Sequence, residues 1–245
     1  MGDVRRLVIA GAAVLALAIL AAVLLAPRIM DAAAPEAEQP PFAEQAPLPR
    51  AAAEPTGPGV AGLVDPDWAA ATAAATGIPQ RALLAYAGAA LQKAAAMPEC
   101  GLGWNTLAGI GLVESDHGRH GGSSVGPDGT VTPPIFGIAL DGPETDNIPD
   151  SDDGAIDGDA TVDRAVGPMQ LIPQTWTNWH TDGSGDGVED PQNIDDAVVA
   201  ASNYLCRASD DMASEEGWLG GVSSYNSADS YARAVASAAQ RYADQ

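Results

Sequence analysis

The chain has 245 residues, 33 acidic and 11 basic, for a formal net charge of −22. That balance excludes nucleic acid as a partner, since phosphate contacts need clustered Lys and Arg, and it argues against docking of the soluble part on anionic lipid. The length suits one sizeable domain with appendages.

In chain order, residues 1–6 carry Arg5 and Arg6 ahead of an uncharged apolar run from Leu7 to Ala26. A helix of that length spans a hydrocarbon core of roughly 30 Å. The flanking arginines predict that the short N-terminal stub stays cytoplasmic. Secretory signals have apolar stretches of only about 7–15 residues, so an uncleaved single-pass anchor is expected over 7–26. Cleavage within "MDAAAPEA", which would release a secreted protein, is the alternative. Either way, the rest of the chain is expected outside the cytoplasm, held at the cell membrane by the anchor or freed from it. Residues 27–62 are rich in Ala, Pro and Glu with little periodic apolar pattern, and read as a disordered tether.

The folded domain is expected over 63–245. "DPDWAAATAAATG" has an acidic start and a Gly stop, as a helix does. "IPQRALLAYAGAALQKAAAM" follows, with Pro79 at a first-turn position and apolar residues at helical spacing. "NTLAGIGLVESD", "PQTWTNWH", "NIDDAVVAASNYLCRAS" and "DSYARAVASAAQRYAD" continue the helical pattern. Strand-like alternation is almost absent. The fold class is therefore mainly α, with long Gly/Asp-rich loops at about 117–164 and 181–193, of a length that is often functional. Cys100 and Cys206 show no metal-binding spacing, and in an oxidising compartment one disulfide between them is the economical reading.

Three places carry candidate chemistry. Glu114 ends an apolar segment containing Ile110, Leu112 and Val113. Near a helix C-terminus the dipole disfavours its charge, and apolar neighbours add a desolvation cost; both raise a carboxyl pKa toward general-acid range. The plain alternative is a solvated helix-end Glu. Glu114 and His117 form an ExxH, but carboxylate-bridged di-metal sites need two such motifs, and HExxH is absent. Histidine-based metal binding is not expected, and His117 and His120 read as loop residues beside a cleft. In "AVGPMQLIPQTWTNW", Gln170 follows Gly167, Pro168 and Met169 and offers both a donor and an acceptor, as sugar recognition requires. Trp176 and Trp179 either stack on sugars or fill the core. In "SSYNSADSYARAVASAAQRY", Tyr225 and Asn226 lie just before a helix, with Asn226 and Ser227 as caps.

Taken in order, "GLVESDHG", "AVGPMQLIPQTW", "NIDDAVVAASNYL" and "SYNSADSYARAV" resemble the lytic transglycosylases that cleave peptidoglycan. The likeness is strongest to the membrane-bound B-type branch, in a form with an actinobacterial look, and spans roughly residues 65–242. It implies a lysozyme-like, mainly helical domain with a long cleft. Glu114 matches the family's single catalytic acid, within its Glu-Ser/Thr pair, which makes Ser115 a site residue. Gln170, beside Met169, matches the glutamine of a Gly-x-x-Gln motif that contacts the sugar. Tyr225 and Asn226 match the Tyr-Asn pair on the opposite wall. Thr161 stands nine residues before Gln170, where the B-type branch has an assisting Ser.

The resemblance implies cleavage of the MurNAc–GlcNAc β-1,4 bond of peptidoglycan glycan strands by a monomer that needs no cofactor for its chemistry. Most glycosidases use two carboxylates; here one acid suffices, because the sugar's own C6 hydroxyl attacks and gives a 1,6-anhydromuramoyl end. Two alternatives remain open at this point: a hydrolytic muramidase, and a non-catalytic, Ca²⁺-dependent cell-wall binding protein.

The acid excess concentrates in two loops. "DGSGDGVEDPQN" has EF-hand-like spacing, with Asp182, Ser184, Asp186, the Val188 carbonyl and Asn193 as ligands of a structural Ca²⁺. Asn193 in place of a bidentate Glu predicts weak affinity. The B-type transglycosylases carry a similar loop at this place. "DNIPDSDDGAIDGDATVD", residues 146–163, fits no ligand pattern well and is expected to be a cleft lid and solvated loop rather than a second cation site.

Overall fold

The computed structural model describes residues 41–245 except 143, 144 and 146. The expected stub, the anchor over 7–26 and the tether up to residue 40 lie outside the described residues. Among the described residues, no helix is long and apolar enough to cross a membrane.

The unit is mainly helical, as the periodicity predicts. Helix α1 (Pro66–Thr76) starts where Asp65 accepts the Trp68 N–H at 2.8 Å, and it stops at Gly77, whose φ is 74°. A proline at the first position and a left-handed Gly after the last turn are the expected pair of boundary residues. Helix α2 (Gln80–Ala96) follows Pro79 and buries Leu83 and Tyr86. Helix α3 (Trp104–Ser115) is buried on all sides from Trp104 to Gly111, which makes it the central helix of the unit. It is crossed by α7 (Asp229–Ala243), and Gly109 permits the approach: a Cβ there would lie 2.9 Å from the Val235 carbonyl. Helix α4 (Pro173–Trp179) is short, and α5 (Ile194–Ala208) packs its apolar face against α2. Cys206 of α5 is bonded to Cys100 in the turn after α2, closing a loop of 106 residues. Such a link contributes about 2–4 kcal/mol.

Three features depart from the sequence expectations. Helix α6 (Glu215–Tyr225) occupies a stretch with three glycines that shows no helical stripe. Four short strands punctuate the long 117–164 loop and its exit: β1 (Ser124–Val125) pairs with β2 (Val131–Thr132), and β3 (Phe136–Ala139) with β4 (Arg164–Val166), both antiparallel. Runs of two to four residues are too short to display a period.

The third departure corrects the domain boundary, for residues 41–62 do not belong to a tether. Ala43 and Ala46 are buried, and Phe42 meets Trp218 edge-on with ring centroids 6.1 Å apart. Gln45 accepts the Gly103 N–H at 2.7 Å and donates to the Met212 carbonyl at 3.0 Å, while Asn105 donates to the Glu44 carbonyl at 2.9 Å. The N-terminus of α3 has no capping side chain of its own, and Gln45 satisfies it from the preceding segment. The folded unit therefore begins by residue 41, not near 63.

Candidate active site around Glu114

Glu114 sits in the last turn of α3, half-buried, where the helix ends through consecutive left-handed residues: Asp116 (φ 52°), His117 (φ 58°) and Gly118 (φ 79°). Two anchors hold this turn. His117 is fully buried, with Nδ1 3.1 Å from the Tyr86 hydroxyl and Nε2 3.0 Å from the Tyr242 hydroxyl. Burial, chiefly, and the nearby Arg119 charge lower its pKa to about 4, so the ring is neutral. This corrects the reading of His117 as a loop residue beside the cleft: it is a core strut. His120 is exposed. Ser115 is the second anchor. Its hydroxyl donates to the Pro168 carbonyl at 2.6 Å and accepts the Gly118 N–H at 2.8 Å. Expected to contact substrate, it is buried and instead ties the acid's turn to the Gly167-Pro168 turn.

The acid itself faces a cluster of phenols. The Tyr231 hydroxyl, from α7, donates to Glu114 Oε1 at 2.5 Å. Tyr225, the last residue of α6, stacks on Tyr231 with centroids 6.4 Å apart and planes within 5° of parallel. Its hydroxyl donates to the Met169 carbonyl at 2.6 Å. Burial raises the Glu114 pKa to about 7, against the Tyr231 hydrogen bond, which pulls it down. Burial and the Glu114 charge push both tyrosines well above their ordinary range, so both remain donors.

Tyr225 also lines a cleft of about 240 Å³ with Gln170, Leu171, Thr175, Tyr204 and Ile148. Glu114 is not one of the residues lining this cleft; it connects to the wall through Tyr231, which stacks on Tyr225. Gln170 is held in a left-handed conformation (φ 48°) by the tight Val166–Leu171 loop, and its Nε2 donates to the Gly167 carbonyl at 2.9 Å. No protein-family model, curated protein or solved structure matches the chain.

The site's geometry sets Gln170 and Tyr225 on one cleft wall and links Glu114 to Tyr225 through Tyr231. The remaining expected residues fall elsewhere. The Met169 side chain is fully buried, and only its carbonyl serves the site, through Tyr225. Asn226 is exposed and accepts the Ala228 N–H at 3.0 Å, shaping the link between α6 and α7. Tyr225 closes α6 and, as expected, lies just before another helix, but α7 starts at Asp229 without a side-chain cap, so neither Asn226 nor Ser227 caps it. Thr161 is exposed in the Asp-rich loop, and its hydroxyl makes no hydrogen bond to Glu114. Tyr231 is the residue that sequence reasoning missed. It lies inside "SYNSADSYARAV", but nothing local marks it as facing an acid on another helix.

The second expected loop also differs in its closure. Asp182 accepts the N–H groups of Gly185 (2.6 Å), Asp186 (3.1 Å) and Gly187 (2.9 Å) and the Ser184 hydroxyl (3.2 Å). Burial opposes ionisation there, yet these bonds outweigh it and its pKa is lowered. Asp186 accepts the Val188 N–H at 2.7 Å. Asn193 is committed elsewhere: it caps α5 by accepting the Asp195 N–H at 3.0 Å and donates to the Asp128 carbonyl at 3.2 Å. Asp196 closes the loop in its place, accepting the Ser184 and Asp190 N–H groups at 2.8 and 2.9 Å. Burial, chiefly, raises its pKa to about 6 despite these bonds, and the Asp182 charge adds to the rise. The candidate ligands are oxygens, a set that suits a hard cation, but the Asp182 and Asp196 carboxylates already accept backbone N–H groups.

Proposed function

We propose that the chain is a peptidoglycan lytic transglycosylase of lysozyme-like helical fold, tethered by its N-terminal segment with the catalytic domain outside the cytoplasm. The observation that carries this reading is the Glu114 carboxyl, raised to about 7 and bonded to Tyr231, which stacks on Tyr225 in the wall of a cleft that Gln170 also lines. Near neutral pH such a group is poised both to give and to take a proton. No second carboxylate contributes to its raised pKa, which suits a mechanism with a single acid.

Glu114 gives its proton to the glycosidic oxygen as the MurNAc C1–O bond breaks, and the N-acetyl carbonyl oxygen closes on C1. The resulting carboxylate, stabilised by the Tyr231 hydroxyl, then removes the proton of the C6 hydroxyl. That oxygen displaces the acetamido oxygen at C1, giving the 1,6-anhydro sugar and restoring the acid. Water is not consumed, and the intramolecular attack benefits from high effective molarity. Ca²⁺ is proposed as a structural ion of the 182–196 loop, held by Asp182, Ser184, Asp186 and the Val188 carbonyl, with Asp196 in the place expected for Asn193.

Two outcomes are expected. Digestion of purified peptidoglycan yields muropeptides one water lighter than reducing-end products by mass spectrometry; products that carry oxygen from labelled water would make the enzyme a hydrolytic muramidase instead. Tyr231→Phe removes the bond that lowers the Glu114 pKa. The alkaline limb of the pH–rate profile should move to higher pH, with a loss of about ten- to a hundredfold in rate, since hydrogen bonds to charged groups contribute about 1.5–3 kcal/mol. An unmoved limb would detach Tyr231 from the acid.

A further inference from the structure

The expectation that residues 146–163 form a lid without a cation site overlooks what the folded loop brings together. Asp150, Asp152 and Asp163 each offer a carboxylate oxygen within 4.8 Å of the others. Asp150 and Asp152 lie on one arm of the loop and Asp163 on the other, and the arms are joined where Asp163 N–H donates to the Ile148 carbonyl at 3.1 Å. Oδ2 of Asp152 accepts the Ile156 N–H at 2.6 Å. Oδ1 exposes less than 1 Å² and has no hydrogen-bond partner; among the described residues it is the sole buried side-chain polar atom in that state. A buried, unpaired carboxylate oxygen costs free energy unless something occupies its lone pairs. Among the described residues no side chain does so: Arg164, which directly follows the loop, is bonded to Asp159, 3.1 and 3.0 Å from its Oδ2.

The geometry points to a divalent-cation site at Asp150, Asp152 and Asp163, taken by Ca²⁺. Three carboxylates and no nitrogen or sulfur donor select a hard cation. An irregular loop that supplies ligands from both arms suits the larger, more adaptable shell of Ca²⁺ better than the strict octahedron of Mg²⁺. The consequence reaches the cleft, because Ile148, whose carbonyl takes the Asp163 N–H, lines its wall. An ion joining the two arms fixes that wall. The site stands apart from the 182–196 loop and does not depend on the enzymatic reading.

The test is Ca²⁺ titration of the full-length chain after removal of metal with chelator, followed by calorimetry and thermal melting. In Asp182→Asn, which weakens only the other loop, Ca²⁺ still binds and still raises Tm. In Asp152→Asn, Ca²⁺ affinity at this site falls about tenfold or more, as expected when ligand charge is removed. Asp163→Asn gives the same loss of binding, and since it also breaks the Ser151 hydrogen bonds, Asp152→Asn is the cleaner variant. Undiminished Ca²⁺ stoichiometry and affinity in Asp152→Asn would overturn the assignment. So would loss of all Ca²⁺ binding in Asp182→Asn, or no binding by the wild-type chain.

Discussion

If the chain is the transglycosylase proposed above, Glu114→Gln should abolish glycan cleavage while making the protein more stable above neutral pH. A general acid contributes about 10²–10⁴-fold, and a single-acid mechanism has no second group to take over, so a loss of about 10³-fold or more in wall clearance is expected. The stability effect has the opposite sign for a definite reason. The folded-state pKa of Glu114 is about 7, against 4.5 for a glutamate free in water. Between those values the folded protein holds a proton that the unfolded chain has released, so stability falls as pH rises through that window. The full penalty above pH 7 is about 3 kcal/mol at most, at roughly 1.4 kcal/mol per unit. Gln carries no charge to desolvate and its carbonyl still accepts the Tyr231 hydroxyl. Urea melts at pH 5 and pH 8 should therefore show wild type losing stability and Glu114→Gln losing less. If the two proteins kept parallel stability profiles and equal activity, Glu114 would be neither desolvated nor the acid.

That double signature depends on surroundings that local sequence reads only in part. The apolar run before Glu114 announces burial, and the spacing of helical segments announces the mainly α fold. Asp65 and Gly77 mark both ends of α1 as clearly as any residues in the chain. Helix α6 is hidden because its glycines look like breakers. They are close-approach sites instead: a Cβ on Gly217 would lie 1.9 Å from the Asp211 carbonyl, and one on Gly221 would lie 2.4 Å from the Met212 sulfur. The packing of residues 41–62 is hidden for a different reason. Gln45 satisfies a helix terminus 58 residues away, a contact that composition cannot express. Within the site, Glu114, Gln170 and Tyr225 are legible as motif positions, whereas Tyr231 acts only through the crossing of α7 over α3. His117 shows how spacing can mislead. The ExxH suggests a ligand, but a left-handed backbone at 117 turns the ring into the core between Tyr86 and Tyr242. The Asp-rich loop likewise fits no linear ligand pattern because its third carboxylate comes from the returning arm.

Gly167→Ala tests the positioning of the site without touching a titratable group. Gly167 has φ 74°, and a Cβ there would sit 1.8 Å from the Pro191 carbonyl oxygen and 2.8 Å from its carbon. Backbone cannot yield as a flexible side chain does, so the turn itself must move. Three connections move with it: the Gly167 N–H to the Ile135 carbonyl at 2.9 Å, the Gln170 side chain on the Gly167 carbonyl, and the Pro168 carbonyl that receives Ser115 from the acid's turn. The expected cost is about 3 kcal/mol or more in stability, within the range for strain at a special backbone position. The expected loss of activity is about 10²-fold, what a displacement near 1 Å costs a positioned site. Gly77 supplies the matched control, since it has the same φ of 74° and a methyl added there would meet nothing within 4 Å, and it caps α1 far along the chain from the acid. Gly77→Ala should cost only the left-handed backbone penalty of about 1–2 kcal/mol and leave the proposed activity of the folded protein unchanged. The difference between the two variants isolates the steric demand at Gly167. Equal losses in both would mean that the loop carrying Gln170 tolerates displacement, and that the Gly167-Pro168 turn does not set the geometry between Gln170 and Glu114.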